Sequence, residues 1–134
     1  MKLDVEIRFA LPDESEAIAE VIREAFAEMQ SLYTPEAFAV TTPNAEKVRE
    51  RFREGKIWAA LEEEKMVGTV SVVPEENGRL YIRSMAVLSS VQGLGIGRKM
   101  LEAIENYAIE NGFENLFLYT LPFLEGAIRL YERN

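Results

Sequence analysis

Gln92-Gly93-Leu94-Gly95-Ile96-Gly97 decides how this chain is read. Upstream of the hexapeptide, Arg79 to Leu88 is a strand-like run; downstream, Met100, Ile104 and Ala108 form an i, i+4 apolar stripe that ends at Asn111-Gly112. A strand therefore leads through a glycine loop into a helix. Backbone N–H groups at a helix N-terminus have no intrahelical partners, and the helix dipole adds about half a positive charge there, so such a loop suits a phosphate. With glycine at 93, 95 and 97 no side chain blocks the loop interior, while Leu94 and Ile96 are expected to anchor it to the core. Arg98 and Lys99 put two cations in the first helical turn, where they oppose the dipole unless an anion is present.

Spacing removes two phosphate motifs. A Walker A loop beginning at Gly93 needs Gly-Lys-Ser/Thr after four residues, and position 98 is Arg. A Rossmann fingerprint counted from Gly93 or Gly95 meets Arg98 or Met100 where its third glycine belongs. The short apolar run Leu116 to Tyr119 reads as a buried strand parallel to the one before the loop, because a helix of crossover length joins them. That makes one βαβ unit.

Working outward, Val5 to Phe9 alternates apolar and charged residues, as a strand with one buried face does. Asp13 followed by Glu16 reads as a capping box for a first helix over roughly 14 to 30, with Ile18, Ile22, Ala25, Phe26 and Met29 on its inner face. A second helix opens with Thr42 as cap and Pro43 at its first position, turns Val48 and Phe52 inward, and stops at Gly55. Ile57 to Leu61 and Met66 to Val73 form a hairpin around Glu62-Glu63-Glu64-Lys65. Trp58 belongs to its core. Pro74 to Gly78 is a further turn, and Ala127, Leu130 and Tyr131 mark a last helix.

At 134 residues the chain forms one domain, residues 1–134, with no internal linker. Its 48% hydrophobic and 28% charged composition is that of an ordinary globular protein. A net charge of −8 argues against nucleic acid and anionic membrane surfaces as partners. The absence of Cys removes thiolate metal sites and a Cys-acyl intermediate, and the absence of His removes the commonest metal ligand and general base. No metal is expected. The most apolar stretch, Leu116 to Leu124, is far short of a membrane span of about 20 residues. Met1-Lys2-Leu3-Asp4 has no signal-peptide pattern, so the expected location is cytoplasmic.

Gln92, Gly95 and Gly97, as Gln-x-x-Gly-x-Gly between a strand and a helix, resemble the pyrophosphate-binding signature of the GNAT superfamily of N-acetyltransferases. Leu80 to Val87 looks like that family's fourth strand, and Glu125 to Arg133 resembles its C-terminal helix motif. The order of elements agrees over essentially the whole chain. The resemblance implies an α/β (α+β) fold: a mixed, mostly antiparallel sheet flanked by helices, with fourth and fifth strands splayed apart. It also implies acetyl-coenzyme A as cosubstrate, held by Gln92, Gly93, Leu94, Gly95, Ile96, Gly97, Arg98 and Lys99, with the pantetheine arm along Met85, Ala86 and Val87. A backbone N–H near the splay would polarise the thioester while a primary amine, on a small molecule or a peptide, attacks directly.

Tyr131 matches the family tyrosine that protonates the departing thiolate. The chain departs from the pattern in three places. Tyr81 stands where several members carry a Glu early in the fourth strand, and Glu75 and Glu76 just upstream lie in a turn where charges are usually solvated. Leu124 replaces an Asn three residues before Ala127. Asn134 is the last residue, where the family continues with Gly-Phe and two more strands. The resemblance therefore implies that the fifth strand's edge is covered by a second copy, as a homodimer, or by further chain. Tyr33 and Phe38, between the first two helices, and Tyr81 are substrate-site candidates, and the many carboxylates favour a cationic amine. A non-catalytic acetyl-coenzyme-A-binding module for sensing or pairing is the alternative function, and a purely structural domain a third.

Overall fold

The computed structural model describes residues 5–27, 42–91 and 93–118. Among them the chain runs β1 (Val5–Phe9), α1 (Ser15–Phe26), α2 (Ala45–Arg51), β2 (Ile57–Glu62), β3 (Lys65–Glu75), β4 (Arg79–Val87), α3 (Ile96–Glu110) and β5 (Asn115–Leu118). The five strands form one sheet in the order β1-β2-β3-β4-β5. Successive strands are antiparallel up to β4, and β4 pairs with β5 in parallel, as a crossover helix between them requires.

Residues Ile57 to Leu61 of β2 are buried one after another. Alternate residues of a strand face opposite sides, so unbroken burial means that both faces of the sheet are covered. α1 packs on α2, β3 and β4, and α3 packs across β1 to β4. The core joins Ile18 and Ile22 of α1, Val48 of α2, Val70, Val72, Leu80 and Ile82 of the sheet, and Ile96, Met100 and Ile104 of α3. Trp58 is buried as expected, with Tyr107 edge-on at 5.4 Å and Phe9 tilted against it at 5.1 Å.

Local caps differ from the sequence reading. A 3₁₀ turn, Pro12–Glu14, precedes α1, and Glu14, rather than Glu16, reaches back to a backbone donor, accepting from the Leu11 N–H at 2.8 Å. Arg8 holds Glu14 in that position through two hydrogen bonds. α2 is capped by Asn44, whose Oδ1 accepts from the Lys47 N–H at 2.9 Å, so Pro43 lies outside the helix. Phe9, expected on the buried face of β1, is 46% exposed because β1 is the edge strand of the sheet.

Two features position the glycine loop. Gly68 in β3 has the Cγ2 of Ile96 only 3.4 Å from where a Cβ would stand and the Ala86 carbonyl oxygen at 3.2 Å, so its missing side chain lets the first turn of α3 seat on the sheet. β4 also carries one extra residue: Ser71 pairs with Ser84 and Val72 with Ile82, leaving Arg83 as a bulge.

Candidate active site

β4 ends at Val87, and the Leu88 N–H donates to Val67 O at 2.9 Å. A 3₁₀ turn, Ser89–Val91, follows, with Leu88 and Val91 both buried. The chain then turns through Gly93 and Gly95, each at φ +84°, a left-handed conformation that disfavours any side chain. Gly95 is the N-cap of α3: its carbonyl accepts from the Lys99 N–H at 3.0 Å, and as a glycine it has no side chain with which to cap the helix. The N–H groups of the first turn are thus the unpaired donors of a helix start.

The expected anchoring is half correct. Ile96 is 2% exposed and fixes the helix start in the core, whereas Leu94 is 53% exposed and projects outward. The physical reason lies in the flanking glycines, whose positive φ angles lift the residue between them away from the sheet. Arg98 and Lys99 are exposed on the first turn, and no acidic residue accompanies them there. Gln92 lies outside the described residues.

On β4, pairing with β5 runs from Arg79–Asn115 to Ile82–Leu118. Met85, Ala86 and Val87 follow the bulge; Ala86 is buried, and Met85 and Val87 are half-buried. Tyr81 is half-buried with its ring stacked on Phe117 at 5.2 Å, and the Arg79 guanidinium lies 4.5 Å from the other aromatic's centroid. Glu75 and Glu76 are exposed in and beside the β3–β4 turn, the solvated setting expected of them. Tyr33, Phe38, Leu124, Ala127 and Tyr131 lie outside the described residues. Among the described residues no helix is long and apolar enough to cross a membrane, and no group of three or more Asp or Glu could hold a metal ion.

One charged cluster escaped the sequence reading. Arg83 donates from Nη1 to Glu54 Oε1 at 2.6 Å, joining the bulge of β4 to the chain just after α2. Its side chain is 19% exposed. Arg51, at the end of α2, has its pKa pushed down to about 10, first by burial and then by the nearby Arg83 charge, against an opposing pull from Glu54. A charge inside Leu80 to Val87, an otherwise uncharged strand, was the available signal.

A mixed sheet with one βαβ unit, whose crossover helix opens on a glycine loop, offers a phosphate-bearing ligand a place at the helix start. The chain matches the acetyltransferase (GNAT) family over residues 19–134. It is 30% identical over 130 residues to the Uncharacterized N-acetyltransferase YjgM of Escherichia coli, spanning 93% of this chain and 77% of that protein. Among solved structures, PaiA N-acetyltransferase from Thermoplasma acidophilum in complex with coenzyme A superposes with a TM-score of 0.86 at 16% identity, covering 98% of this chain and 89% of the other. An aminoglycoside acetyltransferase from an uncultured soil metagenomic sample, in complex with sisomicin, gives 0.73 at 22% identity, covering 96% and 86%. The chain belongs to the GNAT acetyltransferase family and is an acyltransferase.

Proposed function

We propose that the protein transfers the acetyl group of acetyl-coenzyme A to a primary amine. The observation that carries this reading is the pair of glycines at 93 and 95: both have positive φ, and among the described residues, chain neighbours aside, neither has an atom within 4 Å of where a side chain would begin. Tight packing therefore does not account for them. They leave open space in front of the helix start, where a pyrophosphate would accept from backbone N–H groups and meet the charges of Arg98 and Lys99. The pantetheine arm lies along Met85, Ala86 and Val87. The coenzyme A bound to the similar Thermoplasma protein supports the same donor class.

In the transfer, the amine lone pair attacks the thioester carbonyl carbon, the C–N bond forms and the C–S bond breaks. A backbone N–H near the β4 bulge stabilises the charge that develops on the carbonyl oxygen. Tyr131 gives its proton to the leaving thiolate and regains one from solvent, and the amine's surplus proton passes to solvent, since Tyr81 replaces a carboxylate base.

Calorimetric titration with acetyl-coenzyme A tests the loop, using Gly95→Asn and Gly95→Asp side by side. Both residues tolerate the left-handed region, so their difference isolates charge. Asp is expected to bind at least about tenfold more weakly than Asn, from one carboxylate facing the pyrophosphate; wild-type affinity in the Asp variant refutes the assignment. Tyr131→Phe should lower kcat with the dissociation constant for acetyl-coenzyme A unchanged. Unaltered turnover, where chemistry limits the rate, removes Tyr131 from the mechanism.

A further inference from the structure

The contact between Arg83 and Glu54 uses only Nη1 of the guanidinium. Nε and Nη2 are closed off from solvent and have no hydrogen-bond partner among the described residues. Those two nitrogens form one edge of the guanidinium plane, with parallel N–H bonds spaced to meet both oxygens of a carboxylate. Ser71, which pairs with Ser84 at the same bulge, also has a buried Oγ with no partner among the described residues. Buried polar groups are nearly always satisfied, and an unmet charged donor is the most costly exception. The tie to Glu54 explains why Arg83 is held, and leaves the free edge of its guanidinium unexplained.

The charges point the same way. Arg83 is close enough to disfavour the charge of Arg51, and Glu54 opposes that effect. Two guanidiniums and one carboxylate thus gather at the bulge, in a chain whose net charge is −8. An anion brought to this spot meets charge-assisted donors in a poorly solvated setting.

We propose that the acyl acceptor carries a carboxylate, which docks on the Nε–Nη2 edge of Arg83. The acceptor class is then an amino acid or other aminocarboxylate, in place of the cationic amine that the chain's acidity favours. The proposal rests on the acyl-transfer reading above: with the thioester beside Met85, the bulge puts Arg83 two residues from the reacting group. The carboxylate takes no part in the bond changes. It fixes the acceptor so that its amine faces the thioester. Because both nitrogens are enclosed, a docked carboxylate must displace part of their cover.

The test compares thiol release from acetyl-coenzyme A for matched acceptors: γ-aminobutyrate against 4-aminobutan-1-ol, and L-phenylalanine against L-phenylalaninol, with spermidine as a cationic acceptor. The acid of at least one pair should exceed its alcohol in kcat/KM by about tenfold or more. Arg83→Gln should bring that ratio close to one, mainly through KM, without altering the dissociation constant for acetyl-coenzyme A. Arg83→Lys should not restore it, because an ammonium has no planar fork. A second measurement is independent of which acceptor fits: with coenzyme A present, glutarate should raise the melting temperature of the wild type more than that of Arg83→Gln. Alcohols or spermidine turning over as well as the acids, or glutarate shifting both proteins equally, overturns the proposal. A larger Arg83-dependent shift with inorganic phosphate than with glutarate overturns the carboxylate class. Failure of the wild type to bind acetyl-coenzyme A defeats the acyl-transfer reading itself, and this inference with it.

Discussion

Arg8 and Glu14 meet through two parallel hydrogen bonds, Nη1 to Oε1 at 2.9 Å and Nη2 to Oε2 at 2.7 Å, across the turn between β1 and α1. Oε1 of the same carboxylate also accepts from the Leu11 N–H. The hydrogen bond from Arg8 is the main reason that the Glu14 pKa falls below its ordinary value of 4.5, with burial opposing it. A carboxylate whose pKa is lower in the folded state stabilises the fold above its unfolded pKa, and that contribution is lost as pH falls through the folded value. The same hydrogen bond raises the Arg8 pKa, so its own dependence lies at strongly alkaline pH. Only the acid side is accessible. Glu14→Gln keeps an acceptor for Leu11 and removes the charge; it should cost about 0.5–1 kcal/mol at pH 7 for this partly exposed pair. Urea denaturation at pH 7 and pH 3 checks this, because the gap between variant and wild type should close at pH 3. An equal gap at both values means that the charge is not its source.

The β2–β3 hairpin turns through Glu63 and Glu64, at φ 48° and 72°. Two-residue hairpin turns with both central residues at positive φ favour Asn-Gly, and each ordinary side chain held there costs about 1 kcal/mol. Glu62, Glu63 and Glu64 also concentrate negative charge at one tip. Replacing Glu63-Glu64 with Asn-Gly should therefore stabilise the fold by about 1–2 kcal/mol, read as a higher urea midpoint with an unchanged slope. A midpoint at or below that of the wild type would mean that the turn is not under strain.

The elements that sequence made legible are those governed by local pattern. The α1 stripe of Ile18, Ile22 and Ala25 is buried, and the run after α3 does form a strand parallel to β4. The glycine loop was readable because positive φ and a helix start each leave a residue signature. Tertiary forces decided the rest. Glu14 was passed over for Glu16 because Leu11 has no side-chain acceptor with which to complete a capping box, whereas Arg8, six residues upstream, selects Glu14 through space. The Arg83–Glu54 pair spans 29 residues of sequence. The bulge that exposes Arg83's role is equally hidden: Leu80 to Val87 reads as an uninterrupted strand, and only its register against β3 reveals the extra residue.

Arg98 and Lys99 occupy the first turn of α3, at the positive end of the helix dipole, with no acidic neighbour in that turn. Two cations there work against the fold when no anion is bound, by about 0.3–1 kcal/mol each at low ionic strength. They work for binding when a pyrophosphate occupies the helix start. The double substitution Arg98→Gln, Lys99→Gln should therefore move two measurements in opposite directions. Without ligand its melting temperature should rise, and its affinity for acetyl-coenzyme A should fall, with a shallower dependence of affinity on salt than the wild type has. A purely structural helix start predicts the first change without the second. Unchanged affinity and salt dependence, measured by calorimetry between low and physiological ionic strength, would detach these two residues from the cofactor and leave the loop backbone as its only phosphate ligand.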